Sequence, residues 1–256
     1  MAEQPGWRMD WGRAWRALRG LVADPERTDL AFEIVSSLSA GSMERAFARV
    51  AGCDAGRTLL AEKPDLLATL ADRERLRLLP DGSFGREYAR FMDAAGLSPE
   101  GLVEADAEAM RNDPDARTLD PDRAWLAHRL REAHDLWHVL TGYGRDEAGE
   151  AANLAFSFGQ VSNPGLALMV LAGAVLGPWD PTLAWPRYLL AAFLRGWNAS
   201  DLVLARYEEL LPLPLAEVRG RLGISAPEVA HPGGIVVANQ ATGRPLDDVA
   251  AADHAA

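Results

Sequence analysis

Between Ala151 and Trp197 the chain carries only three charged residues, Asp180, Arg187 and Arg195, in a protein that is otherwise 25% charged. A stretch so poor in charge has to be covered by something apolar, either lipid or other protein. A membrane span is the weaker solution, because Pro164 interrupts the stretch and the clean run from Gly165 to Gly177 falls short of the ~20 residues that cross a bilayer. The pattern predicts two buried helices, which form ordinary core or line a tunnel for a long hydrocarbon ligand.

The rest of the chain up to about Ile224 has helical rather than alternating periodicity, punctuated by Pro and Gly, and few β-branched clusters. An all-α protein follows, read as one multi-helix domain over residues 1–228 with a loosely ordered tail over 229–256, where the sequence turns rich in Ala, Asp and Gly. Trp7, Trp11, Trp15, Leu18 and Val22 are spaced by four, four, three and four, which predicts an amphipathic helix over 7–22. Arg8, Arg13, Arg16 and Arg19 lie mostly off that stripe. Trp with Arg is the pairing of a helix that lies in a membrane interface, but a core or dimer helix would show the same aromatic stripe. Arg57 to Leu70 reads as helical with a break at Pro64. Leu79 to Ser83 reads as a turn before a helix from about Phe84 to Ala95. Asp120-Pro121 is an N-cap followed by Pro at the first helical position, and starts a helix that runs to about Leu140.

At 256 residues, 48% of them hydrophobic, the chain is long enough to bury a substantial core. A net charge of -11 argues against a nucleic-acid binder, which needs clustered Lys and Arg. The single Cys53 excludes an intramolecular disulfide or a thiolate-rich zinc site. No apolar run with a small-residue cleavage site opens the sequence, so an intracellular protein is expected.

The helix from Asp120 contains His134-Asp135-Leu136-Trp137-His138, and Glu150 follows beyond Thr141-Gly142-Tyr143-Gly144. At ~100° per residue, His134, Asp135 and His138 fall at about 0°, 100° and 40° around the helix, within one third of its surface. The Gly-rich stretch ends the helix and lets a following one bring Glu150 back. His134, Asp135, His138 and Glu150 are therefore candidate ligands for a divalent cation. Asp135 either ligates directly or orients a His from behind. In a zinc-protease helix, by contrast, a Glu follows the first His and acts as a base. Two imidazoles with carboxylates suit Fe²⁺, Mn²⁺ or Zn²⁺. His128 points ~240° away from His134 on the same helix and is left out.

His-Asp-x-x-His with Glu twelve residues after the second His resembles the signature of the coenzyme Q biosynthesis protein 4 family. Arg57-Thr58-Leu59-Leu60, Lys63-Pro64, Leu79 to Tyr88, Phe91-Met92, Arg131-Glu132-Ala133, Gly177-Pro178 and Leu215 to Ile224 are similar to further parts of that family, from roughly Leu30 to Pro227. The resemblance implies a mostly helical protein, often a homodimer, whose metal is held by His134, Asp135, His138 and Glu150 and whose apolar cavity takes a polyprenyl lipid. It also implies a peripheral membrane protein that works with other ubiquinone biosynthesis enzymes, and an oxidative decarboxylation in which a ring carboxylate gives way to a hydroxyl. Arg86 and Tyr88 are the candidate substrate-binding residues. With no transit peptide expected, the setting is a bacterial cytoplasm with peripheral association to the inner membrane. Two other readings are a non-catalytic metal- and lipid-binding scaffold and a polyprenyl phosphate hydrolase. The latter lacks a second His and Asp set for a second metal.

Overall fold

A computed structural model describes residues 9–24, 27–101, 103–104, 119–145, 147–176, 185–225, 238–239 and 244–245, and several of its helices start where a short polar side chain takes up a free N–H group. Helix α1 (Trp11–Ala23) is capped by Asp10, whose carboxylate accepts from the Arg13 backbone N–H at 2.8 Å. Helices α2 (Thr28–Ser37), α3 (Ala40–Gly52), α4 (Asp54–Glu62), α5 (Leu66–Ala71) and α6 (Arg73–Arg77) follow. The chain then turns through Gly82, whose φ of 70° is free of the clash a side chain would bring, and Ser83 caps α7 (Phe84–Ala94).

Helix α8 (Pro121–Thr141) has the ends that the sequence predicts. Asp120 accepts from the Asp122 and Arg123 N–H groups, Pro121 needs no partner at the first position, and Gly142 closes the helix at φ 76° with its N–H on the His138 carbonyl.

The charge-poor stretch forms three helices rather than two: α9 (Glu147–Val161), α10 (Pro164–Leu176) and α11 (Trp185–Asn198). The first break falls at Pro164, as the sequence indicates, and Asn163 shapes it. Its Oδ1 accepts from the Gly165 N–H at 2.7 Å, so a new helix begins at Pro164 as soon as α9 ends. A 3₁₀ turn (Leu202–Leu204), α12 (Tyr207–Leu210) and α13 (Leu215–Leu222) complete the helical domain. Two two-residue strands, Ala238–Asn239 and Arg244–Pro245, pair antiparallel. Trp7, Gly177-Pro178 and the rest of the 229–256 tail lie outside the described residues.

The core gathers Phe84, Tyr88 and Met92 of α7, Leu126, Leu136 and Trp137 of α8, and Phe156, Tyr188 and Tyr207. Helices α9 and α11 cross where Gly159 faces Gly196. A Cβ on Gly196 would collide with the Phe156 carbonyl, so this closeness requires glycine.

Coverage of the apolar stretch is incomplete. Leu190, Leu194 and Trp197 form an i, i+4, i+7 stripe on α11 that faces outward, with Trp197 62% exposed. The N-terminal aromatic stripe also faces outward. Helix α1 packs through Ala14 and Ala17, while Trp11 is 59% and Trp15 60% exposed. The chain therefore does not use these rings as core. No helix among the described residues is long and apolar enough to cross a membrane.

Candidate metal centre

Helix α8 presents His134 and His138 one turn apart, and the turn after Gly142 brings α9 back against it. A Cβ on Gly149 would run into the Gly144 backbone, and this close approach sets the next residue, Glu150, opposite the two rings. Glu150 Oε2 lies 3.3 Å from His138 Nε2 and 3.8 Å from His134 Nε2. The candidate ligand atoms of His134, His138 and Glu150 all fall within 4.8 Å of one another.

Hydrogen bonding on the far side of each ring fixes its tautomer. His138 Nδ1 is 3.0 Å from the Tyr143 carbonyl, which can only accept, so Nδ1 carries the proton and Nε2 presents a lone pair. That Nε2 is buried, and the polar atom it faces is Glu150 Oε2, 3.3 Å away. His134 Nδ1 is 3.4 Å from Asp135 Oδ1, with the same consequence for its own Nε2. Two imidazole lone pairs and one carboxylate oxygen converge, and a divalent cation fits that donor set.

Burial alone would raise the carboxyl of Glu150, but the hydrogen bond and charge of His138, with the charges of His134 and Arg145, outweigh it and hold Glu150 ionised below its ordinary range. Asp135 behaves alike, with His134 as its main partner. Burial pulls His134 down. The bond to Asp135 and the charges of Asp135 and Glu150 more than offset this and leave its proton held more tightly than usual. A dication at the two Nε2 atoms would compete with that proton.

Of the four residues predicted as ligands, three are brought together. Asp135 stands outside the group, turned against His134. Tyr88 is fully buried in the core, with Arg73 over its ring. Arg86 is turned to the surface turn, donating to the Leu79 carbonyl at 3.3 Å with Asp81 3.9 Å away.

Sequence reasoning missed three supports. Phe91 stacks on His138 with centroids 5.6 Å apart and an interplanar angle of 23°. Arg145, exposed in the turn after α8, lies near enough for its charge to bear on His134, Asp135 and Glu150. Arg195 and Arg219 donate to the last carbonyls of α8, Arg195 to Thr141 at 2.7 Å and Arg219 to Val139 and Leu140 at 3.0 and 2.8 Å. Phe91 was visible only as part of the family resemblance, and the arginines act across the fold and left no local signal.

Residues 13–228 match the family model described as Coenzyme Q (ubiquinone) biosynthesis protein Coq4. The chain belongs to the Coq4 family. It is similar to the mitochondrial ubiquinone biosynthesis protein COQ4 of Phaeosphaeria nodorum, at 30% identity over 213 residues, covering 81% of this chain and 69% of the relative. Identity to the Yarrowia lipolytica protein of the same name is 33% over 174 residues, with 67% of this chain and 62% of the relative covered. For that of Botryotinia fuckeliana it is 31% over 172 residues, covering 67% and 58%. The chain thus spans less than two thirds of the last two relatives. A crystal structure of a Nostoc punctiforme protein named for ubiquinone biosynthesis superposes with a TM-score of 0.62 at 21% identity, over 85% of this chain and 100% of that one. At that identity the likeness is one of fold. Membership places this Coq4-family chain in ubiquinone biosynthesis.

Proposed function

We propose that this Coq4-family protein holds a divalent cation on His134, His138 and Glu150 and acts on the aromatic head group of a polyprenylated hydroxybenzoate-type precursor, replacing its ring carboxylate with a hydroxyl. The observation that carries this reading is the convergence of two Nε2 lone pairs and one ionised carboxylate. Two His and one carboxylate leave coordination positions open, as in non-haem iron oxygenases, and Zn²⁺ or Mn²⁺ also suits the donors. When bound, such a metal supplies a Lewis acid and, as iron, a means of activating oxygen.

The chain's own residues do the rest. His138 is held in one tautomer by the Tyr143 carbonyl, and His134 by Asp135. Arg145 sets a positive charge beside the ligands, where a substrate carboxylate would be drawn. The prenyl tail would lie in an apolar cavity along the charge-poor helices α9 to α11, so that binding of a remote chain positions the ring. The overall reaction consumes the acid, dioxygen, two electrons and two protons, and yields the phenol, carbon dioxide and water. A reductant is therefore required.

In this reading the protein works peripherally at the inner membrane of a bacterial cell, with Trp11 and Trp15 toward the lipid. The α11 stripe of Leu190, Leu194 and Trp197 would serve a second copy of the chain or other enzymes of the pathway. Those exposed stripes also favour a second reading, a metal- and lipid-binding scaffold without chemistry.

The deciding experiment supplies purified protein, iron and a reductant with a polyprenylated 4-hydroxybenzoate-type acid under oxygen, and follows carbon dioxide and the ring product. Turnover that Glu150→Ala abolishes supports the enzyme. No turnover, together with loss of partner-enzyme recovery when metal is removed, supports the scaffold.

A further inference from the structure

Away from the metal centre, the crossing of α9 and α11 opens a cleft of about 190 Å³ lined by Arg49, Gly159, Gln160, Trp197, Ala199 and Asp201. Gly159 stands nine residues after Glu150, which puts the cleft about 14 Å further along α9. The floor is bare backbone, because a Cβ on Gly159 would come within 2.6 Å of the Trp197 nitrogen. Trp197 is 62% exposed, and Phe193 leans on it with ring centroids 6.0 Å apart, so a large flat ring is held ready beside the cleft.

The polar lining is engaged except at one place. Gln160 turns its amide inward, where Nε2 donates to the Gly196 carbonyl at 2.6 Å and Oε1 accepts from the Leu202 N–H at 2.9 Å. Asp201 accepts from the Val203 N–H at 3.1 Å and from Arg49 Nε at 3.0 Å. Arg49 Nη2 donates to the Gln160 carbonyl at 3.2 Å, which leaves Nη1 without a hydrogen bond among the described residues. The lining thus has donors to spare on Arg49, while its acceptors are already used. Asp201 also offsets the Arg49 charge, so a carboxylate brought to Arg49 would meet a like charge beside it. A neutral oxygen acceptor suits the cleft better than an anion. The volume lies below the roughly 300–1,000 Å³ of pockets for drug-sized ligands, so it takes a single ring.

We propose that this cleft binds a neutral quinone-type ring, stacked on Trp197 with a carbonyl oxygen accepting from Arg49, at a site separate from the metal centre. Such a ring meets each demand of the lining. It is flat and electron-poor, so it stacks on the electron-rich indole face; its oxygens accept hydrogen bonds; and it carries no charge. A family that serves ubiquinone biosynthesis works where rings of this kind are made. The site does not depend on the decarboxylation.

Equilibrium dialysis of the full chain against duroquinone tests this, since its fully substituted ring has no open position for addition of the Cys53 thiol. The wild-type chain should bind it saturably. Trp197→Leu removes the stacking ring from an exposed position, so affinity should fall about tenfold while the melting temperature holds. Arg49→Lys keeps the charge beside Asp201 but loses the guanidinium fork, and should weaken binding about three- to tenfold. Leu171→Ala, at an equally exposed apolar position on α10, is the control and should change nothing. The anion 4-hydroxybenzoate should bind more weakly than duroquinone, and Glu150→Ala should bind duroquinone as the wild type does. No saturable binding, wild-type affinity in Trp197→Leu or Arg49→Lys, an equal loss in Leu171→Ala, or tighter binding of 4-hydroxybenzoate would overturn the inference and leave the metal centre standing. Loss of duroquinone binding in Glu150→Ala would place the ring at the metal centre and overturn it as well.

Discussion

The imidazole of His138 donates its Nδ1 proton to the backbone carbonyl of Tyr143, 3.0 Å away, so the turn that ends α8 also selects the tautomer of a ligand on that helix. Gly142 makes this possible by taking a left-handed conformation immediately after the helix. Fold and site are thus coupled at one backbone atom.

Metal should stabilise the folded chain through this centre. At a free metal concentration 100 times the dissociation constant the gain is about 2.7 kcal/mol, which chelation removes. Thermal unfolding with and without chelator should separate by several degrees for the wild-type chain. His138→Ala should abolish the separation and lower bound metal in elemental analysis. Unchanged metal content would refute His138 as a ligand.

Helix α8 was legible in the sequence because its determinants are local: Asp120, Pro121 and Gly142 sit at its ends, and the His pair is set by the helical repeat. The return of Glu150 was also legible, since a glycine-containing turn between two helices leaves few other paths. Whether Asp135 joins the ligands was not. A residue about 100° around from His134 can face the metal or the neighbouring ring, and only the folded side chain, with Asp135 Oδ1 3.4 Å from His134 Nδ1, distinguishes the two. The third helix in the charge-poor stretch was hidden for another reason. Apolar residues all round a helix carry no periodicity, so helix number in this stretch is marked only by punctuation such as Pro164 with its Asn163 cap.

Arg195 is predicted to hold the metal-bearing helix as well as the fold. It is largely buried and joins the Thr141 carbonyl to Ser225, with no carboxylate in an ion pair with it among the described residues. Arg195→Met keeps the volume and loses these charge-assisted bonds, which are worth about 1.5–3 kcal/mol each before the site relaxes. Denaturant unfolding should show a lower midpoint. An unchanged midpoint would mean that solvent replaces Arg195 without cost.

Gly196→Ala should be among the most damaging small substitutions in the chain. The added methyl meets the Phe156 carbonyl, which is backbone and cannot turn away, so α9 and α11 must separate. Overpacking of this kind costs about 1–3 kcal/mol, occasionally more. Because α9 carries Glu150, metal affinity should fall together with melting temperature. Gly220→Ala, inside α13 at a position where nothing lies within 4 Å, is the control and should leave metal affinity unchanged and the melting temperature no lower.

Acid should weaken the contact between α8 and the C-terminal segment. Arg129 is buried and binds Glu208 through two 2.8 Å bonds. Burial would raise the Glu208 carboxyl, but Arg129 more than reverses this and leaves it below its ordinary value of 4.5. A depressed carboxylate contributes stability that is present above the unfolded value and lost as pH falls through the folded one. Unfolding free energy should therefore drop as pH is lowered from about 5, the upper edge of the unfolded carboxylate's titration. Glu208→Gln should lessen that drop, and an identical slope in wild type and variant would count against the pair.

The outward-facing rings of α1 make the membrane reading testable without any substrate. Trp11 and Trp15 are exposed on a helix that, from Trp11 to Ala23, has Arg13, Arg16 and Arg19 and no acidic residue, although the whole chain carries a net charge of -11. Arg13 is engaged with Glu33 at 2.9 Å, so the attraction to an anionic surface falls to Arg16 and Arg19. Each Trp that enters an interface contributes on the order of 1.5–3 kcal/mol at most, or about tenfold or more in partitioning. Vesicles containing anionic lipid should bind the wild-type chain, and added salt should weaken that binding as the arginine term is screened. Trp11→Gln with Trp15→Gln should reduce binding at least tenfold while leaving cobalt affinity untouched, because both rings lie apart from the metal centre. Equal vesicle binding by wild type and double variant would instead leave the exposed stripe to a protein partner.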